Sequence, residues 1–306
     1  MKRWLPYAAL VMAMILWSTT FVALKYSFRH FSPVLVIFGR MVVASIVFLP
    51  LLRNLSPGRI KRHDLWLILL MALFEPCLYF IFEALAIERT TASQAGMITA
   101  LLPLMVAIGA SLFLSEKITG KTYLGFTLAV GGAIMLSLLG EPEPESMNPV
   151  LGNFFEFLAM VCATGYTLIL KRLSSTYNPF FLTAVQSFCG SIFFGFIFLI
   201  KETGLPPSWP LGPTLVIIYL GVFITMGAYG LYNFGVSKIK ASQASIFINL
   251  IPVFSVFWAW ALLSETFTWL QFASATLILC GVWISQELNG EKISPVIGTT
   301  TALEKR

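Results

Sequence analysis

Charge is what this chain has least of. Ionisable Asp, Glu, Lys and Arg make up 11% of its 306 residues against 58% hydrophobic ones, and there are two histidines and four cysteines. So little polar surface cannot cover a water-soluble core of this size, and a mean hydropathy of +0.84 places the chain in a membrane. Cys77, Cys162, Cys189 and Cys280 lie in apolar runs, with no CxxC spacing and no histidine neighbours. That pattern excludes a zinc site and argues against a disulfide framework, so neither a metal nor a cofactor is expected. The sequence contains no GxxxxGK[ST], HExxH or GxSxG motif, which removes ATPase, metalloprotease and lipase readings and leaves a non-enzyme. The net charge of +6 is dispersed among short loops, so topology explains it better than a nucleic-acid partner does. His30 and His63 fall in loops as solvated interface residues.

What is there is apolar length. Ten runs of about 20 residues, the length a bilayer requires of a helix, fall near 4–24, 33–52, 65–87, 92–114, 121–140, 149–170, 179–200, 213–235, 242–263 and 268–287. The basic N-terminus resembles a signal peptide, but its apolar run is too long and no small-x-small site closes it, so it reads as a retained first helix. With the N-terminus in the cytoplasm, 15 Lys and Arg fall inside and 4 outside (Lys25, Arg29, Arg89 and Lys201), with Arg40 inside a helix. This predicts an inner-membrane protein with both termini cytoplasmic.

One stretch occurs twice. Residues 92–119, ASQAGMITALLPLMVAIGASLFLSEKIT, align without a gap to 241–268, ASQASIFINLIPVFSVFWAWALLSETFT, at an offset of 149, with 11 of 28 positions identical. At an offset of 146, Lys25 meets Lys171, Pro33 meets Pro179, and Ser45-Ile46 meets Ser191-Ile192. The predicted organisation is a first five-helix repeat over 1–140, an extracytoplasmic linker over 141–148, a second repeat over 149–287 and a disordered cytoplasmic tail over 288–306. Five is odd, so the second copy enters the membrane upside down. An all-α protein of ten transmembrane helices in two inverted repeats is an architecture of secondary transporters, with the site near the midplane.

Ionisable residues inside spans are costly, which makes Arg40, Glu75 and Glu156 the first candidates for substrate binding or coupling. By helix rise, Arg40 and Glu156 lie about 10 Å and Glu75 about 16 Å from the outer ends, depths that permit contact. One arginine neutralises one carboxylate, and the other then favours its neutral form, as proton-coupled exchange requires. None of the three is repeated: Gln186, Ile224 and Leu10 stand at the matching positions. The competing reading is a buried salt bridge that fixes packing, or for Arg40 a side chain reaching toward the interface. Around these charges, Trp17, Tyr79, Tyr166, Tyr229, Asn233 and Asn249 are candidate lining residues. Thr225, Tyr229 and Asn233 form one polar stripe and Ser245 and Asn249 another, which equally suits hydrogen bonds between helices. Trp258 and Trp260 either line the cavity or face lipid. Pro103 and Pro252 bend their helices in mid-span, and Glu116 and Glu265 are structural, beside Thr119 and Thr268 as N-caps of helices five and ten.

The paired ASQA to SE stretches, the LWSTTFVALKY segment, Pro33 and Arg40 in helix two, Gly131-Gly132 and Gly281 together resemble the drug/metabolite transporter superfamily, EamA type, over residues 4–287. The resemblance implies a site between helices one to four and six to nine, with helices five and ten supporting from the side. It also implies export of amino acids, nucleosides, drugs or other metabolites, in many members driven by proton or substrate exchange. The expected partners are a small amphiphilic solute, the lipid bilayer and protons, and the expected state is a monomer or weak homodimer. A passive channel would need a continuous filter or charge ring, and a scramblase or intramembrane enzyme a reactive pair at one interface. Neither pattern stands in the sequence.

Overall fold

The computed structural model describes residues 4–55, 60–114, 120–138, 148–201, 205–266 and 268–286. The tail, Glu116, Thr119 and the linker before Asn148 lie outside them. Ten helical spans are present among the described residues: α1 (Leu5–Phe28), α2 (Pro33–Asn54), α3 (Arg62–Ile87), α4 (Ala92–Leu114), α5 (Gly120–Leu138), α6 (Pro149–Leu173), α7 (Pro179–Lys201), α8 (Leu211–Lys238), α9 (Ala241–Leu263) and α10 (Trp269–Gln286).

Sequence sets the helix starts. Ser32 accepts from Leu35 N at 3.3 Å before Pro33, and Asn148 accepts from Leu151 N at 3.1 Å before Pro149. Each pairs an N-cap oxygen with a proline at the first helical position, where no backbone donor is needed. Thr268 and Gln271 exchange hydrogen bonds at the start of α10, a capping box. Thr268 is therefore the expected N-cap, whereas Glu265 serves a different helix from the one expected. Its carboxylate accepts from Ala92 N and Ser93 N, both at 3.0 Å, and from the Ser93 hydroxyl. It thus caps α4, so the SE end of one copy of the duplicated stretch binds the ASQA start of the other.

The duplication is also visible in the irregularities. α3 is interrupted by a wide π turn over Leu73–Leu78 and α8 by one over Leu220–Ala228, while α4 tightens to a 3-10 turn over Thr99–Leu101 and α9 over Phe247–Asn249. These breaks fall at matching repeat positions. Pro103 and Pro252 follow the 3-10 turns, in the first turn of the helices that restart at Leu102 and Leu250, where the missing donor costs least. Lys25 and Lys171 were expected as loop charges and are instead helix-end ligands. Lys25 donates to the carbonyls of Ile87 (3.1 Å) and Thr90 (2.8 Å), and Lys171 to those of Val236 (3.0 Å) and Ile239 (2.6 Å). Each satisfies the carbonyl end of α3 or α8, at opposite faces of the protein.

Lipid tails give no hydrophobic drive for helix association, so close approach of small residues has to supply it. α5 and α10 pack on each other through Gly132 and Gly281, which are repeat mates. A Cβ on Gly132 would sit 2.9 Å from Ser274 O, and one on Gly281 2.6 Å from Gly125 O. The remaining eight spans surround the core, and large apolar side chains such as Phe113, Ile192, Leu199 and Trp269 face outward.

Candidate functional site

At Glu75 the backbone leaves the helical region (φ −148°, ψ 114°), the extended conformation that a following proline favours. The opened turn frees the Glu75 carbonyl, which accepts from Gln186 Nε2 of α7 at 2.7 Å. The side chain lines a central cavity together with Trp17, Arg40, Tyr79, Glu83 and Tyr229. Among the described residues, none of α5 or α10 lines it.

Fourteen of the lining residues are seven pairs of repeat mates: Trp17 with Ala163, Thr20 with Tyr166, Phe21 with Thr167, Glu75 with Ile224, Glu83 with Tyr232, Thr99 with Ile248, and Leu102 with Ile251. The cavity therefore straddles the pseudo-two-fold axis that relates the halves. Its chemistry does not follow that symmetry, for all three charged lining groups, Arg40, Glu75 and Glu83, come from the first repeat.

Arg40 is fully buried, and its ion pair among the described residues is with Glu83, at 3.8 Å, not with Glu75 or Glu156 as expected. Its guanidinium carbon lies 3.7 Å over the Phe80 ring, a cation–π contact, and none of its side-chain nitrogens has a hydrogen-bond partner. Glu83 also accepts from the Tyr79 hydroxyl at 3.2 Å. Glu83 was missed by the sequence reading, although Glu75, Tyr79 and Glu83 form an i, i+4, i+8 stripe that signals it.

Glu75 accepts from the Tyr229 hydroxyl through Oε1, and its Oε2 has no partner. Tyr229, Trp17, Tyr166 and Tyr232 form the aromatic wall. Trp17 is 4.9 Å, centroid to centroid, from both Tyr229 and Tyr232, and Tyr166 is 6.3 Å from Tyr229. Three predicted site residues do not line the cavity. Asn233 lies behind the wall, accepting from the Tyr166 hydroxyl and donating to Thr183 at 2.9 Å and Gln186 at 3.3 Å. Asn249 belongs to the 3-10 turn of α9, whose neighbours Ile248 and Ile251 face the space instead. Glu156 is fully buried outside the cavity, with neither carboxyl oxygen hydrogen-bonded. Trp258 donates to Ser18 at 3.2 Å, and Trp260 is 62% exposed and faces outward.

Inverted five-helix repeats around a central cavity define a multi-pass membrane transport protein. The family model for the EamA-like transporter family matches residues 4–138 and 150–285, once in each half. The chain belongs to that family, within the drug/metabolite transporter superfamily. It is 29% identical over 296 residues to an uncharacterized transporter of Archaeoglobus fulgidus, covering 93% of this chain and 98% of that one. YetK, an uncharacterized transporter of Bacillus subtilis, is 26% identical over 93% of this chain and 87% of its own length. A WAT1-related chloroplastic protein of Arabidopsis thaliana is 22% identical over 92% and 69%. A solved crystal structure with 19% identity, covering 92% of this chain and 96% of its own, superposes with a TM-score of 0.68 and shares the fold.

Proposed function

We propose that this transporter is a secondary active carrier that exports a small amphiphilic metabolite, of the size of an amino acid, by alternating access. The observation that supports this is a cavity built from matching positions of two inverted repeats and charged from one repeat only. Equivalent halves provide two exchangeable shapes, and the unequal charges provide the binding chemistry. In this reading Glu75 takes up and releases the coupling proton and Arg40 with Glu83 holds the cavity in register. Glu156 adds a further buried carboxyl outside the cavity, and Trp17, Tyr79, Tyr166 and Tyr229 enclose the apolar part of the solute, with Asn233 and Asn249 supporting them. The carrier sits in the cytoplasmic (inner) membrane with both termini inside, as a monomer or weak homodimer, its five-helix units divided near residues 141–148.

Counterflow tests it. Proteoliposomes loaded with mixed amino acids, nucleosides and amines should accumulate a labelled external component above its equilibrium level, driven by the unlabelled pool inside. Glu75→Gln should remove the response of transport to an imposed pH gradient while leaving the protein folded. Equilibration without trans-stimulation would identify a channel and overturn the carrier reading.

A further inference from the structure

The charged groups of the cavity are not equally engaged. Arg40 is held on two sides, by the Phe80 face at 3.7 Å and by Glu83 at 3.8 Å. Its charge is balanced within the protein, so a ligand carboxylate would have to compete with Glu83 and Phe80 to reach it. Glu75 is in the opposite condition. It lines the cavity and is 3% exposed, with one oxygen occupied by Tyr229 and the other, itself buried, without a hydrogen-bond partner. A buried carboxylate oxygen left unmatched costs more than the hydrogen bond it would make is worth, so the site is incomplete as it stands.

What surrounds Glu75 states which charge completes it. Trp17 meets Tyr229 edge-on at 72°, and Tyr166 meets Tyr229 at 64°, so ring faces and ring edges both border the space beside the carboxylate. Ring faces carry negative electrostatic potential and attract a cation, more strongly where water is excluded. Besides Glu75 Oε2, the Arg40 nitrogens and Glu83 Oε2, the unpartnered atoms of the lining residues are Trp17 Nε1 and Thr20 Oγ1, a donor and a hydroxyl for one further polar group of the ligand. An anionic ligand would face two carboxyls and the negative ring faces, with the one guanidinium already ion-paired to Glu83 and lying over the Phe80 ring, although none of its nitrogens is hydrogen-bonded.

Resting on the carrier reading above, we propose that the cavity selects organic monocations: amines with an aromatic or branched apolar body, the ammonium at Glu75 and the body against Trp17, Tyr166 and Tyr229. The recognised feature of the solute is its cationic nitrogen. A carboxylate on the same skeleton contributes nothing favourable.

Matched ligands separate these terms. Thermal stability of the purified full-length protein is measured with phenethylamine, phenylalanine and hydrocinnamate, which share a phenyl ring and chain and carry an ammonium, both charged groups and a carboxylate respectively. The branched set isoamylamine, leucine and isocaproate and the indole set tryptamine, tryptophan and indolepropionate are measured in parallel. At least one amine should raise the melting temperature more than its amino acid does, and the acids should not raise it at all. Glu75→Gln should weaken that amine's binding by about tenfold or more, because a charge-assisted hydrogen bond is lost. Trp17→Leu should weaken it through the lost ring face, while Tyr229→Phe keeps the ring and should retain most of the affinity. These two variants keep the test valid if Glu75→Gln fails to fold. Stabilisation by an acid or amino acid equal to that by its amine would overturn the proposal, as would an unchanged affinity in Glu75→Gln or the absence of binding by every amine. Counterflow of a carboxylate solute with no amine binding would sink this assignment and leave the carrier standing. Amine binding without counterflow would do the reverse.

Discussion

Ser45 Oγ and Ser191 Oγ lie 2.9 Å apart, 146 positions apart in sequence, and each is the repeat mate of the other. A residue touches its own mate only on the axis that relates the two copies. The Ser45–Ser191 contact therefore marks where that axis leaves the bundle between α2 and α7. The Gly132 and Gly281 contacts mark its passage between α5 and α10, and the cavity lies between the two.

Replacing Ser45 or Ser191 by alanine removes the same hydrogen bond from either end. Each change should cost about 0.6 kcal/mol, the average for interhelical bonds in a membrane protein, and the double variant little more than either single one. Unfolding free energies from steric trapping give the coupling directly. Additive losses would show that the hydroxyls act independently.

Gly132→Val and Gly281→Val force side chains into backbone that cannot withdraw, Ser274 O at 2.9 Å and Gly125 O at 2.6 Å. Both should destabilise by about 1–3 kcal/mol, with Gly281 the more severe, and neither should alter ligand affinity, since α5 and α10 lie away from the cavity. A specific loss of binding with unchanged melting temperature would contradict this separation.

The architecture was legible because it rests on patterns that sequence carries locally: apolar length, charge bias and a duplication with an odd helix count. The site was legible only as a set of depths. Arg40, Glu75 and Glu156 were correctly buried, but which carboxylate meets the arginine depends on how far α2 slides along α3 and on the register change that the π turn introduces at Leu73–Leu78. Neither is written in periodicity. Asn249 lies off the cavity lining for a similar reason, since a 3-10 turn rotates it off the face that regular helical spacing assigns. Glu265 was recognised as structural, yet its partner at Ser93 lies in the other repeat, where proximity to α10 in sequence was no guide.

Arg40 and Glu83 form a buried pair, so truncating one strands the other. Arg40→Ala should cost about 3–5 kcal/mol, and Arg40→Met combined with Glu83→Met should recover most of it, because well-packed apolar side chains replace buried pairs at little cost. Melting temperatures of the two singles and the double decide this. A double variant as unstable as Arg40→Ala would show that the guanidinium contributes chiefly through its contact with Phe80.

Tyr177, in the connection between α6 and α7, is 4% exposed and donates to Asp64 Oδ2 at 2.8 Å. Burial first, and then the bond to Asp64, raise its pKa above the ordinary 10.0. The folded protein thus holds the phenolic proton more tightly than the unfolded chain does. The resulting stability is whole below pH 10.0 and is lost as the pH climbs through the raised value. Melting temperature measured from neutral pH to above 10.0 should fall more steeply for the wild type than for Tyr177→Phe. Equal slopes would remove Tyr177 as the cause.

The seven mate pairs around the cavity say something about the chain before its two halves were joined. A single five-helix copy could build the same cavity only by pairing with a second copy inserted the other way up. In such a dimer every cavity residue appears twice, so one carboxylate means two, related by the axis. Joining the copies into one gene is what permits Glu75 to oppose Ile224 and Glu83 to oppose Tyr232. In this protein, covalent fusion is the condition for having a binding site with a charged side and a neutral one.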